Sequence, residues 1–147
     1  MKKLILAAIV YLSFAVQAFA ANSSTLIMTS KFMVQTSAGY KLEKDLYTYR
    51  VVLDTAADLT VRAAASGKHA IVNQILYVEG TASNITFKSD STTLVTIEMG
   101  SNAGLGERVG TPILWTIKGE ALVLNPASGG ITTALISVYE DDKIVAW

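Results

Sequence analysis

The sequence has few side chains with the types and spacing that catalysis or transition-metal binding needs. His69 is its one histidine and it has no cysteine, so a zinc site built from several histidines or cysteines cannot form. A Ser-His-Asp triad would have to use His69, and the Gly-x-Ser-x-Gly motif that presents a nucleophilic serine is missing. We predict a protein that is not an enzyme and binds no cofactor, with His69 facing solvent at a strand end.

Three adjacent acids, Glu140, Asp141 and Asp142, form the one cluster with calcium chemistry. Calcium takes several oxygen ligands, and Asp54 or Asp58 could supply a further carboxylate from another loop. The regularly spaced ligands of a dedicated calcium loop are missing, however. The sequence therefore favours a solvated turn over a metal site here.

The segment 100–110, GSNAGLGERVG, has four glycines in eleven residues. A phosphate-binding glycine loop must open a helix, whereas the residues that follow, from Pro112 to Trp115, are typical of a strand. We predict a long surface loop instead. Its candidate contact residues for a partner are Leu105, Glu107 and Arg108, since the glycines leave few side chains to hold the loop in place. A plain connector is the alternative.

Length and charge limit the classes of function. The chain has 147 residues, 51% of them hydrophobic, and a formal net charge of zero, which suits one domain with a substantial core. Its basic residues are scattered, so the electrostatic footprint of a nucleic-acid-binding protein is absent. Without cysteine, the fold must be held by its core alone.

The first twenty residues have the pattern of a secretory signal peptide. Lys2 and Lys3 precede the apolar run 4–16, and Ala18-Phe19-Ala20 supplies the small residues of a cleavage site. The run is too short to span a bilayer, which needs about 20 residues. We predict a signal-peptide helix over residues 1–20, a single domain over 21–147, export to the periplasm, cell surface or medium, and no membrane contact in the mature form. A retained anchor is the alternative.

Three apolar runs within residues 67–99 predict consecutive antiparallel strands. Ile85 and Phe87 alternate with polar residues, as in a strand with one wet face. Asn73 and Gln74 interrupt the alternation in the run 70–78, and a β-bulge there would restore its register. Residues 89–91 make a turn. The predicted core is spread over the chain: Ile71, Ile75, Ile85, Phe87, Val95, Ile97, Leu122, Leu124, Ile136 and Val138.

The remaining runs complete an all-β chain of about eight strands. They cover residues 26–34, 47–53, 59–64, 113–117, 121–124 and 131–139. A helix over the alanine-rich segment 55–65 is the alternative to the strand at 59–64, but a helical apolar stripe is missing. The strand count is that of a single antiparallel β-sandwich of jelly-roll type.

Aromatic side chains are numerous enough for a sugar-stacking platform or a subunit interface, although core packing is their commoner role. The candidates are Trp115, Tyr40, Tyr47, Tyr49, Tyr77 and Trp147.

The order of features from residue 65 to 140 resembles the small jelly-roll proteins of tailed bacteriophages, of the virion, head-decoration or tail-associated type. The resemblance rests on the Gly67-Lys68 start, the Phe87-Lys88-Ser89 step, the glycine-rich segment 100–110 and, most specifically, GEALVLN at residues 119–125. It covers about half of the chain. It implies a jelly-roll fold and a virion surface component that associates with copies of itself or with other structural proteins.

Two classes of function therefore remain open. The first is a non-enzymatic structural or interaction protein of the virion type, as the resemblance implies. The second is an exported adhesin or carbohydrate-binding module, which the signal peptide and the polar and aromatic loop residues favour.

Overall fold

The computed structural model describes residues 22–35, 41–80, 84–98, 106–108, 112–127 and 132–144. These residues form ten β-strands and no helix. In chain order the strands are β1 (Ser23–Gln35), β2 (Lys41–Leu53), β3 (Leu59–Arg62), β4 (His69–Gly80), β5 (Ile85–Ser89), β6 (Thr92–Ile97), β7 (Gly106–Arg108), β8 (Leu114–Trp115), β9 (Leu122–Pro126) and β10 (Thr132–Asp141).

The strands form two antiparallel sheets packed as a β-sandwich. The first sheet has the order β1-β2-β10-β4. The short strands β7 and β8 pair one after the other with the far edge of β4. The second sheet has the order β3-β9-β5-β6. The predicted all-β antiparallel sandwich is thus confirmed, and the segment 59–64 contains a strand, not a helix.

The segment 100–110 is not the uninterrupted loop that its glycines suggest. Gly106–Arg108 forms β7, which pairs with residues 74–76 of β4. Glycine lowers β-propensity, but an edge strand needs only a short stretch of backbone to hydrogen-bond with its neighbour, and β4 supplies that ladder. Among the described strands, β7 is the one that lies outside the predicted runs.

The core lies between the inner faces of the two sheets. Phe87, Ile85 and Leu124 of the second sheet are fully buried there, as are Ile136 and Val138 of the first. These five were predicted from alternation alone, because a strand with one wet face must place every second side chain inside. Ile75 and Leu122 also lie in this cluster, and Ile97 packs against it partly buried.

Of the two remaining predicted core residues, Val95 is exposed and Ile71 is buried as predicted. Val95 is 39% exposed, so its prediction as a core residue is wrong. The reason is a bulge: Phe87 pairs with Val95 but Lys88 pairs with Thr93, so Leu94 is an extra residue and takes the partly buried position. Ile71 is fully buried but does not belong to the inner cluster.

The predicted bulge in β4 is confirmed at Asn73. Ser137 of β10 pairs with Gln74 and the next residue, Val138, pairs with Val72, which leaves Asn73 as the extra residue. The bulge lets Val72 and Ile75, three residues apart, both face the core. The turn predicted at residues 89–91 also forms, and Asp90 adopts a positive φ of 46°, a conformation that aspartate tolerates.

Residues 1–21 lie outside the described part of the chain, so the signal peptide, the domain boundary after residue 20 and export remain predictions. Within the described ranges there is no helix that is both long and apolar enough to cross a membrane.

Candidate functional site

An apolar groove runs between the edges of the two sheets, where β6 of one sheet lies beside β8 of the other. It consists of two adjoining cavities of ≈ 360 and ≈ 370 Å³ that share Leu94 and Trp115. We call it the Trp115 groove. Its first part is lined by Leu94, Val95, Ile97, Ile113, Leu114 and Trp115, and its second part continues along His69, Thr116, Ile117 and Lys118.

Trp115 is held in the groove because its strand, β8, pairs with β4. Leu114 and Trp115 pair with Val72 and Ile71 of β4. The backbone N–H of Ile113 donates to the carbonyl of Val72 at 2.8 Å, and Leu114 packs into the core. Trp115, on the other side of the strand, is therefore fixed in position while 42% of its surface is exposed.

The residue after Trp115 anchors the second part of the groove. Thr116 is 1% exposed, and its hydroxyl oxygen accepts from the backbone N–H of Ala70 at 2.9 Å. The Thr116 N–H donates to the Ala70 carbonyl at 3.0 Å. The Thr116 carbonyl lies 2.7 Å from Nδ1 of His69, and since a carbonyl can only accept, this nitrogen carries the proton.

The next residue, Ile117, is held from the opposite sheet. Its N–H donates to the hydroxyl of Ser89 at 2.8 Å, and this hydroxyl donates to the Glu120 carboxylate at 2.6 Å. Ile117 nevertheless leaves 47% of its surface exposed. Trp115 and Ile117 thus flank a fully hydrogen-bonded residue and present apolar surface on a rigid segment.

Several polar groups of the groove form hydrogen bonds within the protein. His69 bonds to Thr116, and the Lys118 ammonium donates to the carbonyl of Asp142 at 3.1 Å. His69 is half-buried at the start of β4; the predicted strand-end position holds, but the ring is not freely exposed. The groove therefore offers apolar surface for binding, and its described residues contain no nucleophile paired with a base.

A second, smaller cleft opens where β2 separates from β10. The two strands pair as far as Tyr47 and Val138, after which β2 pairs with β1 alone. The cleft has a volume of ≈ 190 Å³, and we call it the polar cleft. Its lining is almost entirely charged: Lys31, Glu43, Lys44, Asp45, Tyr47, Lys68 and Glu140.

Arg62 of β3 organises the inner side of the polar cleft. Its Nε donates to Glu140 at 2.6 Å, its Nη1 donates to the Tyr49 hydroxyl at 2.8 Å, and its guanidinium lies 4.1 Å from the centre of the Tyr47 ring. Burial alone would lower the pKa of Arg62, but the hydrogen bonds to Glu140 and Tyr49 raise it above its usual value. Arg62 covers the Tyr47 ring, so that face is closed to a ligand.

Two residues of the acidic cluster are ion-paired in the structure. Glu140 bonds to Arg62, and Asp141 lies 2.8 Å from the Lys44 ammonium. Burial would raise the pKa of Asp141, but the hydrogen bond and charge of Lys44 outweigh it and hold that pKa below its usual value. Asp58 pairs with Lys88 at 2.9 Å. Among the described residues, no three acids or histidines are grouped as metal ligands.

Two of the three predicted partner-contact residues lie on the edge strand β7. Glu107 and Arg108 pair with Ile75 and Gln74 of β4, while Leu105 lies outside the described residues. Their role in partner contact stays a prediction. β7 and β8 share one edge of β4, so this segment follows the same sheet edge as the Trp115 groove.

Sequence reasoning missed the groove itself. Trp115 was a candidate aromatic, but Val95 was assigned to the core and Ile117 to an ordinary strand. The one available signal was an excess of apolar residues on both faces of residues 113–117. Tyr49 is buried in the core, Tyr40 and Trp147 lie outside the described residues, and Tyr77 is described for its backbone alone.

No protein-family model matches the chain, and no curated protein matches it. The chain is similar to a solved structure of a family 6 carbohydrate-binding module whose binding sub-sites were dissected by crystallography and calorimetry. The two are 18% identical over 77% of this chain and 90% of that one, with a TM-score of 0.28. A similarity this low carries no argument about function.

Proposed function

We propose that the protein is a non-catalytic structural or interaction protein that binds an apolar segment of a protein partner in the Trp115 groove. The observation that carries the proposal is a groove whose exposed lining is apolar apart from Lys118 in its second part. Val95, Trp115 and Ile117 all keep 39% or more of their surface exposed within it. Clustered exposed apolar residues are typical of binding surfaces.

The hydrogen bonding around the groove favours a protein partner over a sugar. Tryptophan is a frequent anchor of protein interfaces. A sugar would need polar groups that can reach its hydroxyls, but the hydroxyl and carbonyl of Thr116 and the Nδ1 of His69 already bond within the protein. An apolar segment needs no hydrogen bonds from these groups. It also binds a surface that is already ordered, which lowers the entropy cost of binding.

We extend the proposal to fold type and origin. A jelly roll is supported by the way the chain alternates between sheets: β3, β5, β6 and β9 belong to one, and β1, β2, β4, β7, β8 and β10 to the other. The resemblance of residues 65–140 to small phage jelly-roll proteins supports a virion-type component, and the pattern of residues 1–20 supports export.

Selection of binding peptides tests the proposed function. A library of random extended peptides is selected on the purified protein, and the binders are compared on two variants of β6. Val95→Lys places a charge in the groove, whereas Thr93→Lys makes the same change at an exposed position of the same strand outside the lining. We expect apolar peptides whose affinity falls by about tenfold or more in Val95→Lys and stays unchanged in Thr93→Lys. Peptides that bind both variants equally would contradict the site.

Carbohydrate binding is the second candidate, and the exposed ring of Trp115 is the observation that favours it. A glycan array with and without calcium tests it directly. Glycan binding that is lost in Trp115→Ser and kept in Thr93→Lys would identify a sugar, and not a protein segment, as the ligand of the groove. A blank array removes this candidate.

A further inference from the structure

The exposed large apolar side chains of the described residues fall into two groups. One group lies on β1 and the other lines the Trp115 groove. The β1 group is Leu26, Ile27, Met28 and Met33, between 48% and 56% exposed; the groove group is Val95, Trp115 and Ile117, between 39% and 47% exposed.

The two groups lie on opposite sides of the sandwich. β1 is one edge of the first sheet, and β8 borders the other edge, with β2, β10 and β4 between them. The apolar side chains of β1 therefore cannot reach the groove of their own molecule. Each edge exposes apolar surface that the described residues of the same molecule leave uncovered, and such surface is typical of contact with another molecule.

A bulge in β1 gives this edge strand three consecutive exposed apolar residues. Leu26 pairs with Tyr49 and Met28 pairs with Thr48, so Ile27 is an extra residue in the strand. In a regular strand the alternation of sides would separate these side chains. The segment from Ser23 to Ser30 also has no charged residue and no proline, the usual means of protecting an edge strand from association.

The groove has the complementary character. It is bounded by β6 and β8, each an edge strand of its own sheet, and the part around Val95 and Ile113 has no charged lining residue. The nearest charged lining residue, Lys118, belongs to the far part and donates to the Asp142 carbonyl. An extended, uncharged apolar strand matches such a groove in shape and polarity.

We propose that the partner in the Trp115 groove is β1 of a second copy of this chain, which packs Leu26, Ile27 and Met28 between β6 and β8. The inference rests on the proposed function and names its partner. Because donor strand and acceptor groove lie on opposite edges, two copies cannot bind each other reciprocally. The association is head-to-tail and builds an open chain or a closed ring of more than two copies.

Complementation between two variants tests the proposal. The protein is purified from the producing cell and used without further processing. Met28→Lys disables the donor strand, with Met28→Leu as its conservative control. Val95→Lys disables the acceptor groove, with Thr93→Lys as its control. Mass is measured by light scattering over a range of concentrations, for each variant alone and for the two lysine variants mixed.

The expected results follow from head-to-tail geometry. The wild-type protein and both controls exceed the mass of two chains, and each lysine variant alone is a monomer. The mixture forms a one-to-one dimer, since one intact groove meets one intact strand. A monomeric wild type, a monomeric mixture, or a lysine variant that still associates with itself would overturn the proposal. Leu26→Lys and Ile117→Lys repeat the test should a first variant fail to fold.

The outcome is separable from the test of the proposed function. Apolar peptides that bind in a Val95-dependent way to a strictly monomeric wild type would keep the groove as a protein-binding site and reject β1 as its occupant. If no peptide binds and the wild type does not self-associate, both proposals are rejected.

Discussion

The polar cleft and the Trp115 groove differ in how their side chains are satisfied. In the polar cleft, Glu140 bonds to Arg62 at 2.6 Å, and Lys31 lies 2.6 Å from Asp45. In the groove, Trp115 and Ile117 remain more than two-fifths exposed among the described residues. Both depressions are held in place by hydrogen bonds to neighbouring strands.

The difference favours the Trp115 groove over the polar cleft as the proposed binding site. Removing paired charges from water is costly, so a cleft whose charges already pair gains little from a ligand that would separate them. An exposed apolar groove gains free energy from any partner that excludes water from it. The volumes, ≈ 190 Å³ against ≈ 360 and ≈ 370 Å³, point the same way.

The largest expected effect comes from a pair of residues that separates the core from the groove. Phe87 and Val95 are cross-strand partners, yet Phe87 is fully buried and Val95 is 39% exposed in the groove. We expect Phe87→Ala to lower the free energy of unfolding by about 3–5 kcal/mol, because it leaves a cavity in the core. Val95→Ala should cost less than about 1 kcal/mol. Urea denaturation measures both, and equal losses would contradict the assignment of the groove.

The charged pair of the polar cleft should come next. Glu140→Gln leaves Arg62 without its countercharge at a site where their side chains are only 13% and 22% exposed. We expect a loss of about 3 kcal/mol, the low end for a broken buried pair, since burial is partial. Glu43→Gln is the matched control, because Glu43 is 57% exposed and lies 3.8 Å from Lys31. A loss under about 0.5 kcal/mol for Glu140→Gln would show that this pair does not stabilise the fold.

Alkaline pH should lower the free energy of unfolding through Tyr139, the residue before Glu140 of the polar cleft. Burial, and to a lesser extent the negative charge of Asp141, raise the pKa of Tyr139 from 10.0 to about 12. The folded state holds this proton more tightly than the unfolded state, so its contribution is complete below pH 10 and is lost as the pH rises through 12. We expect a fall of about 2 kcal/mol in the free energy of unfolding across this range. Tyr139→Phe should remove that fall, and an unchanged pH profile in this variant would assign it to another group.

The smallest effect on stability should come from the groove. We expect Ile117→Ser to lower the free energy of unfolding by less than about 1 kcal/mol, because almost half of this side chain is already exposed. The same change should weaken the binding of groove-directed peptides by about tenfold. A stability loss above about 2 kcal/mol, with peptide binding intact, would make Ile117 a core residue and not a binding residue.

Local sequence pattern was a good guide to strands and a poor one to faces beyond a bulge. Ile85 and Phe87 alternate with polar residues and are buried as predicted, and the polar interruption at Asn73 marked a bulge that the structure contains. Val95 follows the same alternation but is displaced by the extra residue Leu94. No polar residue marks that second bulge, since Leu94 and Val95 are both apolar.

The sequence by itself determined the all-β class, the turn at residues 89–91 and most of the core, because these depend on period-2 alternation and on turn chemistry within a few residues. Only the tertiary structure decided which edges meet. It pairs Arg62 with Glu140 across 78 residues and places β6 beside β8 to form the Trp115 groove. Strand order and sheet packing depend on contacts between residues far apart in the sequence. A local pattern of apolar residues is the same whether its strand lies at the centre of a sheet or at its edge.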